Sequence, residues 1–416
     1  MATDVNLRDY YDESLKCVRC GLCQAVCPVF AVERSESSVA RGKVQIVRAL
    51  LEQRIDPSAP ARERIFLCLN CDACTANCPS GVAVTDVILA ARAQLVRDLR
   101  QPLVERLLLR EVLAHPGRVE LGAAALAVYQ QTGIRWLAHK VGLLHLVPGN
   151  LAVKEELVPA ARSTTPARKS LPAVSGPAEA KYRVAYYLGC VTNVMYQSTA
   201  RAVVEVLQRN GCQTLIPSGL RCCGMPHRNY GDVEVAARLE EHNTAALNAL
   251  AVDAIVTDCA TCSATLRRYG GLKTPVFDIN QFLVDSLGVA SPERPLPGRA
   301  TYHDPCHLVR GQGVREAPRQ ILRSIPELDF AEMAEADRCC GGAGAFAVAH
   351  YDLSMQILDR KIKNAAATKA DLLATSCPAC RMQLSHGVAR YAAADAAGGP
   401  REVVHPVELL ARAYRA

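Results

Sequence analysis

Large aromatic side chains are scarce in this chain, with one tryptophan and six phenylalanines among 416 residues. Long apolar runs are missing too. The nearest is the short stretch from Leu121 to Tyr129, well below the roughly 18 residues that a membrane-spanning helix needs. The N-terminus, MATDVNLRDYYDESLKC, has no basic segment, apolar core or small-residue cleavage site, so export is not expected and a cytoplasmic location is. No P-loop or convincing dinucleotide fingerprint occurs; the closest match, Gly342, Gly344 and Ala347, gives no evident flavin, nicotinamide or nucleotide site. The formal net charge is +7, but the basic residues are scattered without an RNP or zinc-finger pattern, so no nucleic-acid partner is inferred. Half the residues are apolar and 21% are charged, which excludes general disorder.

What the sequence has is cysteine, 19 in all. In a reducing compartment, clustered thiols point to metal binding or redox work rather than disulfides. Cys17, Cys20, Cys23 and Cys27 precede Pro28, and Cys68, Cys71, Cys74 and Cys78 precede Pro79 with identical spacing. Three cysteines separated by two residues each wrap one 4Fe-4S cluster, while the fourth, before proline, turns toward the other. The expected pairing is crossed: Cys17, Cys20, Cys23 and Cys78 for one cluster, Cys68, Cys71, Cys74 and Cys27 for the other. A zinc site would show pairs of Cys-x2-Cys instead. Two oxidised clusters with their thiolates would remove about four positive charges from the formal total.

Between the motifs, Val44, Val47, Leu50 and Leu51 recur at helical spacing, and after them Val84, Val87, Ile88, Ala91 and Leu95 do the same, with Thr85 or Asp86 as a cap. A Leu-rich stretch from Gln101 to Gly149 reads as helical. Two readings of it stand: helices packed on the cluster domain, or a docking face for a partner or a membrane surface.

The second half is a duplication. Cys190, Cys222, Cys223, Cys259 and Cys262 return as Cys306, Cys339, Cys340, Cys377 and Cys380, at offsets of 116, 117, 117, 118 and 118. Strand-like segments (VAYYLGC, ATYHDPC, AIVTDC, LLATSC) alternate with helical ones, so each copy reads as a small α/β unit with parallel strands and thiols at their carboxyl ends. Gly224 and Gly341 would relieve the backbone so that both sulfurs of each adjacent pair face one ligand. Five thiolates exceed the need of one cubane. A cubane with a spare thiol, a cluster of altered geometry and zinc all remain open. Cys212 reads as an ordinary buried thiol, and His227, His303 and His307 lie beside the ligands, where they would pack, move protons or tune sulfurs. No catalytic residue is assigned.

The expected fold class is α+β multidomain. A helical ferredoxin-type domain with two 4Fe-4S clusters spans 1–100, a helical connector 101–162, a Pro/Ala/Ser/Thr-rich linker 163–181, and two tandem α/β Cys-Cys-Gly domains 182–290 and 299–416.

With the VRCGLCQAVCPVF and LNCDACTANCPSGV motifs and both Cys-Cys-Gly units on one chain, the sequence resembles the iron-sulfur subunit of glycolate oxidase and D-lactate dehydrogenase complexes. The same architecture occurs in a subunit of anaerobic glycerol-3-phosphate dehydrogenase and in one of membrane-linked heterodisulfide reductase. The resemblance implies a separate FAD subunit that oxidises the substrate. This chain would carry electrons onward to a quinone or small redox carrier, with peripheral association at the inner face of the membrane as one arrangement. The isolated chain would then lack substrate oxidation. Because both Cys-x2-Cys pairs of the second half are intact, resemblance to heterodisulfide reductases also implies noncubane 4Fe-4S clusters and cleavage of a disulfide there.

Overall fold

The computed structural model describes residues 5–142, 151–160, 163–393 and 398–415. The N-terminal part is helical. Ala40–Leu51 buries Val44 and Val47, and Val84–Leu99 buries Val87, Ile88, Ala91 and Leu95 in the same core. Those are the apolar positions the periodicity picks out. Neither Thr85 nor Asp86 caps the second helix. It starts after Ala83, whose N–H donates to Glu13 Oε1 at 2.7 Å, while Thr85 bonds to Asp72 and Thr75. The side chains flanking the helix start are drawn into the cysteine loop, so a distant glutamate takes the cap.

The connector forms helices Leu103–Leu107, Leu108–Leu113, Pro116–Gln131 and Ile134–Lys140; positions 143–150 and 161–162 lie outside the described residues. Part of it packs on the first Cys-Cys-Gly unit and part faces solvent. Leu109 and Ala114 are packed, Ala114 against Cys222, whereas Leu103, Val104, Leu121 and Trp136 stay exposed.

Two sheets follow. Strands β1 (Val174–Ser175), β2 (Tyr182–Tyr186), β3 (Cys212–Leu215), β4 (Ala254–Thr257) and β5 (Val276–Asp278) form the first, in the order β1-β3-β2-β4-β5. Strands β6 (Gly298–His303), β7 (Leu328–Phe330), β8 (Leu372–Thr375) and β9 (Glu402–Val404) form the second, in the order β7-β6-β8-β9. Apart from the added β1, the order is the same in both, and all of these shared pairings are parallel. Central strands such as β4, buried at all four positions, suit a sheet covered on both faces. The chain leaves β2 toward one edge and β4 toward the other, so the crevice between them is the switch point, and β6 and β8 make the equivalent crevice.

Residues 163–181, expected as a linker, differ. They contain the helix Ala167–Ser170, with Ala167 fully buried, and β1, which pairs antiparallel with β3. The Pro- and Ser-rich composition hides an edge strand of only two residues. The two copies also share a core: Val203, Val206 and Leu207 of the first pack with Ile321, Val407 and Leu410 of the second. Buried Glu408 seals the joint, accepting from Ser198 and Thr199 while pairing with Arg381 at 2.9 Å. No helix among the described residues is long and apolar enough to cross a membrane.

Candidate metal centres

The two N-terminal cysteine loops have one conformation. Arg19 and Gly21 in the first, and Asn70 and Asp72 in the second, have φ between +54° and +87°. Left-handed residues on either side of the middle cysteine curl the loop, so that neighbouring N–H groups line its concave side and favour anionic ligands. Cys20 is exposed and Cys71 buried. Cys78 and Cys74 both share a small cavity with Cys17, Cys20 and Cys23. Cys27 lies in the field of Cys71 and Cys68, and Cys74 in that of Cys68, Cys71 and Cys27. Cys74 reaches both groups, lining the cavity of the first loop as well, so the eight thiols gather in one neighbourhood.

Cys27 is also the N-cap of Pro28–Glu33, with Phe30 N–H donating to its sulfur at 3.4 Å. Burial nevertheless pushes its thiol up to about 11, so a cation or metal is needed to hold it as thiolate. Lys43 is buried in the field of Cys68, Cys27 and Cys74, with Nζ donating to Ser38 O; burial lowers its pKa. Arg92, equally buried, donates to the carbonyls of Phe66 and Cys68 at 3.2 and 2.6 Å. Neither cation was singled out from the sequence. The available signal was a charge on an apolar helical face, Lys43 four residues before Val47 and Arg92 four after Ile88.

In the second half, Cys190 and Cys306 open helices after β2 and β6, and Cys259 and Cys377 precede helices after β4 and β8. Helix N-termini at a switch point favour thiolate. Gly224 and Gly341 follow the adjacent pairs with φ of +82° and +86°. Each left-handed residue turns the chain sharply after two sulfurs. The main-chain N–H groups of Met225 and Gly342 then act on the sulfurs of Cys223 and Cys340.

The ten thiols make one string of interacting neighbours. In order they run Cys190, Cys222, Cys223, Cys262, Cys259, then Cys377, Cys380, Cys340, Cys339, Cys306. The string is palindromic, since each member of the first half matches its duplicate counted back from the other end. Cys339 also meets Cys71 of the ferredoxin-type loop. Interaction with neighbouring thiols holds Cys223, Cys340 and Cys377 well below the usual thiol range and pushes Cys222, Cys262 and Cys380 above it.

That the copies meet at Cys259 and Cys377 is invisible in the sequence. Ala260 N–H donates to Ser376 O at 3.0 Å across this joint. His307 spans three parts: Nε2 donates to Asn70 O at 3.3 Å, and Nδ1 accepts from Thr261 at 3.0 Å. His303 lies with Cys340 and Cys380, their ligand atoms all within 4.8 Å of one another, and its Nδ1 has no partner among the described residues. Burial, then Lys361, pushes its pKa down to about 3, so it stands as a neutral imidazole able to face a metal or sulfur. His227 instead packs structurally, Nε2 donating to Leu109 O at 2.9 Å. Cys212 is fully buried in a strand, away from the string. Soft thiols converging in fours and fives, with N–H groups aimed at sulfur, suit iron-sulfur chemistry.

Comparison with known proteins agrees with this donor set. A 4Fe-4S dicluster domain model matches residues 13–82, a cysteine-rich domain model matches 184–267 and 300–385, and the linker region of glycolate oxidase iron-sulfur subunits matches 100–158. A probable glycolate oxidase iron-sulfur subunit of Bacillus subtilis (strain 168) is 31% identical over 96% of this chain and 94% of its own length. A fumarate reductase (CoM/CoB) subunit from Methanothermobacter marburgensis is 28% identical over 98% of this chain and 74% of its own. Lactate utilization protein A of Geobacillus thermodenitrificans is 31% identical over 55% of this chain and 98% of its own. Motifs, fold and near full-length similarity converge: the chain belongs to the family of glycolate oxidase iron-sulfur subunits, electron-transfer subunits of oxidoreductase complexes.

Proposed function

We propose that the chain serves a flavoprotein dehydrogenase for a 2-hydroxy acid, glycolate or D-lactate, and carries electrons from its FAD subunit to a quinone or small redox carrier. The names of the B. subtilis and G. thermodenitrificans relatives support that substrate class. Cys17, Cys20, Cys23 and Cys78 hold one 4Fe-4S cluster and Cys27, Cys68, Cys71 and Cys74 the other. The five-thiol sets, Cys190, Cys222, Cys223, Cys259 and Cys262 and then Cys306, Cys339, Cys340, Cys377 and Cys380, hold two more iron-sulfur clusters, of noncubane geometry. Five donors exceed the four that tetrahedral zinc takes. When bound, the clusters supply one-electron redox chemistry. The protein's part is to place them in sequence and exclude water from the buried ones.

The observation that carries this reading is the unbroken succession of thiols from Cys71 through Cys339 to Cys190. In the first cysteine loop, outside that succession, Cys20 is exposed, flanked by Val18 at 70% and Leu22 at 50% exposure. An apolar rim around an exposed ligand suits docking of a redox partner. The test is turnover. The purified chain should not oxidise glycolate or D-lactate with a dye acceptor, and adding the flavoprotein subunit should restore oxidation. Turnover by the chain alone would contradict the division of labour.

One observation favours a second reading. The two five-thiol sets face each other at Cys259 and Cys377, an arrangement in which both would reach the two sulfurs of one disulfide. Reduction of a mixed thiol disulfide by the chain with a reduced carrier would select that catalytic role.

A further inference from the structure

Among the described residues the buried lysine and arginine side chains are Lys43, Arg92, Arg319 and Lys361. Arg319 is paired with Asp304 at 2.8 Å and with Glu332 at 2.7 Å. The other three have no carboxylate partner among the described residues. Lys43 donates to Ser38 O, Arg92 to the carbonyls of Asn229, Phe66 and Cys68, and Lys361 to those of Glu335 and Ala336. Asp337 and Asp304 act on Lys361, but Arg310 takes the first at 3.2 Å and Arg319 the second. Carbonyls solvate a cation without neutralising it, and an unneutralised interior charge is costly. What faces these three cations is thiol. Lys43 lies in the field of Cys68, Cys27 and Cys74, Arg92 in that of Cys68, and Lys361 in that of Cys340 and Cys339. Packing agrees: Val44 and Val47 beside Lys43 pack with Cys68 and Cys74, and Leu358 and Ile362 beside Lys361 pack with Cys340.

The duplication allows a direct comparison. A Cβ at Gly224 would lie nearest Ala236 and one at Gly341 nearest Ser354, which aligns the helices Val233–Asn248 and Tyr351–Ala367 behind the two loops. Two turns further along, Asn243 and Lys361 stand at matched positions. Buried Asn243 donates to Cys222 O at 3.1 Å, so a neutral amide supports the first loop where an ammonium supports the second. At the Cys17 set the neighbouring cation is Arg41, which is half-buried and bound to Glu36 through two nitrogens. Arg221, next to Cys222, is exposed. The buried cations therefore collect at two of the four thiol sets, and those two meet at Cys71 and Cys339.

We propose that the two middle centres, the Cys27, Cys68, Cys71 and Cys74 set and the second five-thiol set, have higher reduction potentials than the outer two and together store an electron pair. The inference rests on the electron-carrying role proposed above and adds where the electrons rest. Fixed positive charge in a low-dielectric interior favours addition of an electron to the anionic centre beside it. A half-exposed arginine bound to a carboxylate does little, because water, salt and its partner screen it. The electrons balance: a reduced flavin gives up two electrons and two protons, one electron enters each middle centre, the protons pass to solvent, and the flavin is left oxidised. A store for two electrons lets the flavin discharge fully before either electron leaves the chain.

The test is a redox titration of the full-length chain with its clusters in place, followed by EPR, with signals assigned through Cys27→Ser and Cys340→Ala. Two electrons should enter the middle centres before the outer two are reduced. Lys361→Asn, which copies the first unit, should make reduction of the second five-thiol centre about tenfold less favourable, a downward shift of about 59 mV for a one-electron couple. Lys43→Met, which keeps the apolar stem without the charge, should do the same to the Cys27 set. Reduction of an outer centre first, or potentials unmoved in both variants, would overturn the proposal. Iron content is read on the same samples; where one variant loses iron, the other variant and the native order of reduction decide. Four reducible centres without this order sink the electron store alone, whereas a chain without reducible centres sinks the electron-carrying role.

Discussion

Cys27 shows how much a single residue is asked to do. It ends the first motif, caps a helix with its sulfur, and faces Cys68 and Cys71 of the second motif. Cys27→Ser should therefore chiefly damage the cluster whose other ligands are Cys68, Cys71 and Cys74, seen as loss of one of two EPR signals; loss confined to the Cys17 set would contradict the crossed ligation. The paired glycines separate conformation from space. At Gly341 an added Cβ would lie 2.9 Å from Ser354 O, while at Gly224 the nearest atom is Ala236 Cα at 3.4 Å. Both Ala variants bear the left-handed penalty of about 1 kcal/mol, and Gly341→Ala should cost about 2 kcal/mol more through backbone displacement. Equal melting temperatures for the two variants would refute the spatial part. These residues were legible in the sequence because spacing and adjacency are local properties.

Elements repeat as faithfully as cysteines, yet with different chemistry at matched positions. Asp278 at the end of β5 and His405 after β9 each cap the helix that follows the last strand of their sheet. Burial raises Asp278 from 3.8 to about 7 and lowers His405 from 6.5 to about 4. The signs are opposite. The fold favours protonated Asp278, so that stabilisation is present below pH about 4 and lost as pH rises through about 7; neutral His405 stabilises above pH about 6.5, and this is lost as pH falls toward 4. Asn, a good N-cap without charge, should make Asp278→Asn more stable than wild type at pH 8 by about 2 kcal/mol but not at pH 4. His405→Asn should flatten the acid side of the profile. Melting temperatures from pH 4 to 8 check both, and parallel profiles for all three proteins would refute the assignment. Long amphipathic helices and buried strands were readable from periodicity. The edge strand β1 was not, because two residues carry no period and its pairing with β3 is fixed by tertiary contact.

At the scale of the whole molecule, the decisive feature is that four cysteine sites which are separate in sequence adjoin in space. The duplication was plain from constant offsets, but nothing local says that Cys259 of one copy meets Cys377 of the other, or that Cys71 meets Cys339. Those meetings depend on the shared core of Val203, Val206, Ile321 and Leu410 and on how the cysteine loops dock against Phe346 and Leu353. If both five-thiol sets hold clusters, Cys223→Ala and Cys340→Ala should each remove about four irons; unchanged iron in either variant would mark that copy as vestigial. The most direct measurement is iron, acid-labile sulfide and zinc per chain on anaerobically purified native protein. About 16 irons with matching sulfide and no stoichiometric zinc is the result expected for four adjoining redox sites, whereas about eight irons with zinc or empty sites in the second half would contradict it.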